Sequence, residues 1–297
     1  MVDWIGANLA VHPLGLEATA KADILTELAA DLDALEGVNI VTKKAVRSLA
    51  GRGSHIATLV PAWRPFLAEL WAALSSEPGG APENCVWARQ ISATTSWMRA
   101  FIAGRVGTIS RLYRLSAYMN LGTPLEIVTD ASPWGIGGYL RQGDAITEFF
   151  AGPLGAEDLR RFGYAEGSSD GQQAWESLAA LVALRIWARH WRQDRVRLRV
   201  RGESVTMLTA LLHLKTATNS PLTLLAREMA LDIADASFEP DCGSHLPGDA
   251  NILADKLSRK YAPGEEAWLL PSILESATEV FPPARSPDYY RTLSPPH

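Results

Sequence analysis

One stretch, residues 125–140, constrains the fold of this chain more than any other, and it reads LEIVTDASPWGIGGYL. Its apolar opening is typical of a buried strand, and that strand ends in a carboxylate, Asp130. A three-residue turn follows, and the glycine-rich run 135–140 predicts a second strand that pairs back onto the first. A carboxylate at the end of a central strand costs free energy unless something compensates its charge, and a metal ion is one such partner. The alternative is a turn aspartate that accepts hydrogen bonds from local amides.

Composition excludes several classes of protein. The chain has 297 residues, of which 47% are hydrophobic and 21% charged, as in a globular protein of one large or two ordinary domains. It contains no run of 18 apolar residues and no signal-peptide pattern, so we expect no membrane span and a cytoplasmic or nuclear location. The two cysteines, Cys85 and Cys242, lack the spacing of a zinc site. A net charge of −5 does not by itself indicate a nucleic-acid-binding protein.

Residues 1–121 are predicted to form a smaller all-helical domain. An apolar segment within residues 1–12 is typical of a strand, and the rest of the region shows helical spacing of apolar residues. The predicted helices cover residues 17–35, 42–59, 66–74 and 86–103. Four basic residues lie on the second helix: Lys43, Lys44, Arg47 and Arg52. They either form an ordinary solvent-exposed surface or bind the phosphate backbone of a nucleic-acid duplex.

Residues 122–262 are predicted to form an α/β domain with a mixed five-stranded sheet and flanking helices. Three strands with short turns favour an antiparallel meander, and alternating helices and strands follow it. The predicted strands cover residues 125–129, 135–140, 145–151 and 195–203, with a fifth that begins at 237–239. The predicted helices cover residues 172–190, 205–214, 222–236 and 251–260. Residues 263–297 contain seven prolines and are predicted to be an extended tail.

Two features of this second region have two interpretations each, and a third has one. The arginines of the fourth strand, RVRLRVRGE, form either a solvated face or a track for phosphates. Trp175 and Trp187 are expected to lie in the core rather than to stack on bases. Asn251 is expected to be a helix N-cap.

Four acids carry the chemical hypothesis. Asp130 and Glu203 end two strands, and Glu176 and Asp255 lie early in two helices. If the first and fourth strands are neighbours, Asp130 and Glu203 emerge side by side, and a carboxylate from each helix can join them. Four carboxylates this close repel one another unless a cation compensates their negative charge. Oxygen ligands of this kind suit Mg²⁺ or Mn²⁺, and two such ions can activate water for phosphodiester cleavage.

Three segments resemble the ribonuclease H domains of retroelements. Residues 245–259, HLPGDANILADKLSR, are similar to the HxPGxxNxxADxLSR signature of those domains. TDASPWGIGGYL resembles their opening strands, and QAWESLA resembles the helix with their catalytic glutamate. The resemblance covers about residues 123–262 and implies a ribonuclease-H-like fold. It also implies that Asp130, Glu176 and Asp255 bind two Mg²⁺ or Mn²⁺ ions, and that His245 assists hydrolysis or product release.

Two departures from the family pattern affect that expectation. The family has an aspartate where the best alignment places Glu203, and a slip of one residue would place Gly202 there instead. Residues 1–121 resemble the thumb and connection that follow the palm in reverse transcriptases of the Ty3 and DIRS type. This chain contains no Tyr-x-Asp-Asp motif, so we do not expect it to polymerise alone. An upstream reverse transcriptase palm or another protein subunit is therefore a candidate partner.

These observations leave three interpretations. The first is a metal-dependent endonuclease that cuts the RNA strand of an RNA–DNA hybrid, with Asp130, Glu176, Glu203, Asp255 and His245 as its catalytic residues. The second is an inactive, co-opted ribonuclease-H-like module that binds nucleic acid or a protein. The third is a fragmentary retroelement gene without a selected role.

Overall fold

A computed structural model describes residues 2–4, 6–76, 79–191, 195–214, 221–235, 240–247 and 250–293. The chain divides into two compact units. The first is built mainly from Met1–Asn120, and the second from Leu121–Lys215 and Leu224–Leu293. Within the described ranges, no helix is long and apolar enough to cross a membrane.

The first unit combines five helices with two small sheets. Its strands are β1 (Val2–Trp4), β2 (Ala7–His12), β3 (Gly15–Ala20), β4 (Ile40–Thr42), β5 (Cys85–Trp87) and β6 (Ser110–Arg114). Its helices are α1 (Ala22–Asp33), α2 (Lys43–Leu59), α3 (Arg64–Ser75), α4 (Ser92–Ile102) and α5 (Leu115–Tyr118). Strands pair in the order β1-β2-β3-β6, all antiparallel, and β4 pairs with β5.

The prediction of an all-helical first domain was therefore wrong. The start of the helix predicted over residues 17–35 is strand β3, which is hydrogen-bonded to β2 on one side and to β6 on the other. Its partner β6 lies about ninety positions further along the chain, so local helical spacing gives no sign of it. Tertiary pairing here overrides helix propensity. The predicted helices over 42–59 and 66–74 are confirmed as α2 and α3.

Two of the four basic residues on α2 have internal partners. The Lys43 ammonium donates to the backbone carbonyls of Leu74 and Ser76, each at 3.2 Å. Arg52 forms ion pairs with Glu27, at 3.1 Å, and with Asp31. These contacts hold α2 against its neighbours, so Lys43 and Arg52 serve the fold of the first unit.

The second unit contains a mixed six-stranded sheet. Its strands are β7 (Thr123–Ala131), β8 (Gly135–Gln142), β9 (Ala145–Pro153), β10 (Val196–Gly202), β11 (Pro240–His245) and β12 (Thr278–Glu279). Its helices are α6 (Ala156–Phe162), α7 (Gln172–Ile186), α8 (Val205–His213), α9 (Pro221–Asp235) and α10 (Ile252–Ser258). The strand order is β11-β10-β7-β8-β9-β12, with β7, β8 and β9 antiparallel and β10 parallel to both neighbours.

The predicted mixed α/β architecture is confirmed, with three differences in detail. Helix α6 lies in a segment for which no element was predicted. The residues at which the fifth strand was expected to begin, 237–239, lie outside the described ranges, and β11 is described from Pro240. Strand β12 adds a sixth strand to the predicted five by pairing with β9.

Helices cover the sheet from both faces. Ala254 of α10 packs against Val128, and Leu257 packs against Phe149. Phe150 points the opposite way, because side chains alternate along a strand, and its ring lies 5.6 Å from that of Trp187 just after α7. Trp175 and Trp187 are both fully buried, which confirms that they belong to the core.

The proline-rich C-terminal segment is part of the second unit, and the expected extended tail is corrected for residues 263–293. Leu274 is buried against Phe149. The buried carboxylate of Asp158 accepts hydrogen bonds from Arg285 at 2.7 Å and from the Tyr290 hydroxyl at 2.9 Å. A buried ion pair and buried apolar side chains thus fix this segment to the domain, in spite of its composition.

Candidate carboxylate site

Strands β7 and β10 are parallel neighbours, and they present acids at the same end of the sheet. Arg201, opposite Val128, is the last residue of β10 that pairs with β7. Gly202 is buried on the other face, where a side chain would meet the Met207 methyl carbon and the Thr129 carbonyl oxygen. Glu203 follows the end of the strand, and its charge is close enough to raise the pKa of Asp130.

Asp130 lies in a pocket made by β7 and α10, and only 5% of its surface is exposed. Its Oδ2 accepts a hydrogen bond from the Ser258 hydroxyl at 2.7 Å, and its Oδ1 accepts one from the Asn251 amide at 3.3 Å. Burial, together with the charges of Glu203 and Asp255, raises the pKa of Asp130 to about 6 against the opposing effect of the Ser258 hydrogen bond. The pocket thus holds a carboxylate that ionises near neutral pH.

Glu176 reaches the same end of the sheet from α7. Burial and the nearby charges of Asp130 and Glu203 together raise its pKa to about 7. Gln172 lies one turn earlier on α7 and donates to the Ala131 carbonyl at 2.6 Å and to Glu176 at 3.5 Å. The backbone N–H of Ser204 also donates to the Glu176 carboxylate. These bonds tie the helix to the ends of both strands, so the position of Glu176 is fixed from two sides.

Asp255 and His245 complete the set of predicted site residues. Asp255 is close enough to raise the pKa of Asp130, but its Oδ1 accepts a hydrogen bond from Arg259 Nε at 2.6 Å. Helical spacing of four residues places this pair on one side of α10. His245 ends β11 opposite Gly202 and is exposed, so its side chain lies on the Gly202 face of the sheet and not on that of Asp130. The four acids therefore share one electrostatic environment, and the histidine lies on the strand next to the one that leads to Glu203.

The donor chemistry of this site suits a hard divalent cation. Within the described part of the chain, Asp130, Glu176 and Glu203 form no ion pair with a lysine or arginine, although Arg259 lies nearby, where its hydrogen bond to Asp255 and the charges of Asp130 and Glu203 raise its pKa. Carboxylate oxygens are the ligands that Mg²⁺ and Mn²⁺ prefer. Among the same residues, however, no three side chains of His, Cys, Asp or Glu are placed closely enough to hold an ion as they stand. Metal binding would therefore require these carboxylates to move closer together.

Three residues that position the acids were not identified from the sequence as site residues: Gln172, Asn251 and Ser258. Asn251 was expected to be an N-cap, and it does precede α10, but its side chain makes no capping bond. The Asn251 amide instead donates to Asp130 and, at 3.4 Å, to the Thr129 carbonyl. The seven-residue spacing of Asn251 and Ser258, two helical turns, was the available signal that both face Asp130.

Comparison with known proteins gives structural similarities only. No family model and no curated protein matches this chain. A crystal structure of RNase H1 from the halophilic archaeon Halobacterium salinarum NRC-1 is similar over 46% of this chain and 96% of its own, with 22% identity and a TM-score of 0.35.

Two foamy viral structures are also similar. The foamy viral protease-reverse transcriptase dRH in complex with double-stranded DNA covers 83% of this chain at 12% identity, with a TM-score of 0.29. The foamy viral protease-reverse transcriptase in complex with an RNA/DNA hybrid covers 83% at 11% identity, with a TM-score of 0.28. This chain spans 38% and 30% of those two chains. Identities and TM-scores this low do not carry an activity from those proteins to this one.

Proposed function

We propose that the second unit is a ribonuclease-H-like nuclease that cuts the RNA strand of an RNA–DNA hybrid with Mg²⁺ or Mn²⁺. The observation that carries the proposal is the pair of buried carboxylates, Asp130 and Glu176, at the end of the central strands, neither of which forms an ion pair with a basic residue in the described structure. Two unpaired buried carboxylates destabilise a fold that has no cation to compensate them. A fold that keeps these two carboxylates in spite of the loss of stability supports a cation-binding function for the site.

The residues of the candidate site have different roles in this proposal. Asp130, Glu176, Glu203 and Asp255 would hold the metal, which supplies an activated water and stabilises charge on the phosphate. Ser258 and Asn251 orient the two oxygens of Asp130, and Gln172 orients Glu176. His245 is exposed at the end of β11, next to the strand that precedes Glu203, and would carry a proton to the departing oxygen from the face opposite that of Asp130. Selectivity for the hybrid would come from groove shape and 2′-hydroxyl contacts.

The sequence resemblance also supports an origin in a retroelement reverse transcriptase of the Ty3 or DIRS type. In that case the first unit corresponds to thumb and connection, and a reverse transcriptase palm or another protein subunit is a candidate partner. Co-purification of the chain with a separately expressed palm domain of that type tests this part of the proposal, and the absence of a complex at micromolar concentration argues against it.

A cleavage assay tests the nuclease. The full chain is incubated with a hybrid labelled on its RNA strand, in Mg²⁺ and separately in Mn²⁺. We expect products only from the RNA strand, and at least a hundredfold slower cleavage by Asp130→Asn and by Glu176→Gln. Equal cleavage by the wild type and by Asp130→Asn would show that a contaminant is responsible.

A second candidate is an inactive module that binds nucleic acid or protein. It is favoured by the Arg259 hydrogen bond to Asp255 and by the open arrangement of the acids, both of which oppose metal binding. Glutamate at position 203 instead of aspartate points the same way, because octahedral Mg²⁺ tolerates displaced oxygens poorly. Calorimetric titration with Mn²⁺ separates the candidates: saturable binding that Asp130→Asn abolishes supports the nuclease, and no binding supports the module.

A further inference from the structure

The structure collects arginines on the face of the sheet that carries Asp130. Side chains at alternate positions of β10 lie on that face, and three of them are arginine: Arg197, Arg199 and Arg201. The register places Arg199 opposite Glu126 of β7, and Glu126 opposite Arg141 of β8. We call Arg141, Arg199 and Arg201 the arginine cluster, because all three surround the carboxylate of Glu126.

The carboxylate of Glu126 compensates the arginine cluster only in part. Glu126 lies 3.4 Å from Arg141 Nη1 and 3.8 Å from the Nη1 atoms of both Arg199 and Arg201. The other carboxylate nearby, Asp144, is 3.9 Å from Arg141 and fully exposed, so solvent screens it. Three guanidinium groups around one partly buried carboxylate leave a local positive charge on a chain whose net charge is −5.

The arginine cluster can be reached by a ligand. The side chains of Arg199, Arg141 and Arg201 are 58%, 33% and 30% exposed. Helix α10 and the segment after it pack on the β8 and β9 side of this face, where Leu257 and Leu274 cover Phe149. The Nε atom of Arg201 is buried without a hydrogen-bond partner among the described residues. The cluster thus combines accessible guanidinium groups with unused hydrogen-bonding capacity.

The position of the arginine cluster points to its ligand. Arg199 and Arg201 lie on β10, which ends one residue before Glu203, and side chains two residues apart on a strand are about 6.6 Å apart. A row of guanidinium groups therefore leads along the sheet to the carboxylate site. Guanidinium groups bind phosphate oxygens through paired N–H donors. A phosphodiester chain that lies along this row would place one phosphate beside Asp130 and its neighbours on the arginines.

We infer that the arginine cluster binds the phosphate backbone of the nucleic acid that reaches the carboxylate site. The inference deepens the proposed function and rests on it for the identity of the ligand. Strand β10 would then have a second role besides its structural one in the sheet, because its arginines would align the backbone of the substrate. Glu126 limits the strength of that binding, because it neutralises part of the charge of the cluster.

Binding measured without cleavage tests the inference. The anisotropy of a fluorescein-labelled RNA–DNA hybrid is followed in EDTA over a range of KCl concentrations. We expect Arg199→Gln/Arg201→Gln to weaken binding at least tenfold and to reduce the slope of log K against log salt by about two. A matched control, Arg105→Gln/Arg160→Gln, removes two exposed arginines elsewhere and is expected to change affinity less than twofold with the slope unchanged.

Two further variants exclude misfolding as the explanation. Arg199→Lys/Arg201→Lys keeps the charge and is expected to retain most of the affinity. Glu126→Gln removes the one carboxylate inside the arginine cluster and is expected to bind the hybrid at least threefold more tightly. A gain of affinity cannot come from unfolding, so Glu126→Gln is the more decisive variant.

Failure of the inference and failure of the proposed nuclease are distinguishable. No hybrid binding by the wild type at about 50 mM KCl, equal losses in the cluster and control variants, or unchanged affinity of Glu126→Gln would each overturn the inference. Binding that depends on the arginine cluster but is not followed by cleavage in Mg²⁺ or Mn²⁺ would support the inference and reject the nuclease.

Discussion

The Ser258 hydroxyl lies 2.7 Å from Oδ2 of Asp130 and joins two residues that are 128 positions apart in the chain. The bond connects the end of the central strand β7 to the last helix, and Ser258 is itself held by the Ser132 hydroxyl, which donates to its carbonyl at 2.8 Å. A buried carboxylate that accepts such a bond depends on it, because no water replaces the lost donor. The candidate site and the docking of α10 are therefore one structural feature.

Removal of this hydroxyl is expected to destabilise the protein. Ser258→Ala leaves Asp130 Oδ2 without its donor, and we expect a loss of about 1–2 kcal/mol in the free energy of unfolding. Urea denaturation followed by circular dichroism at pH 7 measures it. Ser276→Ala, at an exposed serine of the C-terminal segment, is the control and should leave the midpoint unchanged. Equal midpoints for both variants would show that the bond contributes nothing.

The two buried acids predict an unusual dependence of stability on pH. Their raised pKa values mean that the folded chain keeps protons that the unfolded chain has already lost. The free energy of unfolding, measured in EDTA, should therefore fall as the pH rises from about 4 to about 7. Asp130→Asn removes one of the charges, so it should be more stable than the wild type by about 2 kcal/mol at pH 8 and by much less at pH 4.

A matched substitution separates this effect from a general loss of negative charge. Asp288 is exposed, and Asp288→Asn should show no such difference between the two pH values. In Asp130→Asn, the new side-chain amide can still accept from the Asn251 amide and can donate to the Ser258 hydroxyl, so the substitution preserves the local hydrogen bonds. A constant offset between Asp130→Asn and the wild type across the pH range would contradict the linkage.

The contact between Arg259 and Asp255 predicts a variant with improved metal affinity. Arg259→Gln frees the Asp255 carboxylate from its 2.6 Å hydrogen bond, so we expect Mn²⁺ to bind about fivefold more tightly, equivalent to about 1 kcal/mol. Isothermal titration calorimetry measures the dissociation constant. Lys256→Gln removes the same charge from an exposed position of the same helix and should have a smaller effect. If Lys256→Gln tightens binding as much as Arg259→Gln, the cause is net charge and not the release of Asp255.

A glycine of β8 sets the distance between the sheet and α10. A side chain at Gly137 would lie 2.5 Å from Leu257 Cβ and 2.6 Å from the Ser258 backbone nitrogen, and neither atom can yield without moving the helix. We expect Gly137→Ala to reduce the free energy of unfolding by about 2–3 kcal/mol, and to weaken Mn²⁺ binding because Ser258 and Asp255 move away from Asp130. Gly51→Ala, in α2 with open space around it, should instead stabilise the protein by about 0.5–1 kcal/mol.

The C-terminal segment is predicted to be essential for the stability of the second unit. Asp158 is fully buried, and Arg285, with a side chain that is only 6% exposed, supplies its charged partner. Arg285→Ala would leave that carboxylate with only two uncharged donors, the Tyr290 hydroxyl and the Gly155 backbone N–H, and should cost about 3 kcal/mol in urea denaturation. Arg160→Ala breaks an ion pair whose arginine is 65% exposed and should not shift the midpoint measurably. Similar midpoints for the two variants would show that the segment is only loosely attached.

The sequence by itself determined the architecture of the second unit and the identity of the acids. Alternating and continuous apolar runs specified β7, β8, β9 and β10, since periodicity follows directly from which face of a strand is buried. Position at the ends of strands and early in helices was enough to select Asp130, Glu176, Glu203 and Asp255. It was not enough to show whether Glu203 or Gly202 lies near Asp130; the structure puts Gly202 on the other face and brings the charge of Glu203 close to Asp130.

Only the tertiary structure decided which groups those acids contact. Ser258 and Asn251 bond to Asp130 across more than 120 positions, and the pairing of β3 with β6 joins segments about ninety positions apart. The local pattern of residues contains no information on such contacts, because they depend on how separate elements pack. The same holds for the arginine cluster: the alternation of β10 predicted a charged face, but Glu126 and Arg141 come from other strands. Local periodicity fixes which face a side chain occupies, and packing between distant elements fixes its partner there.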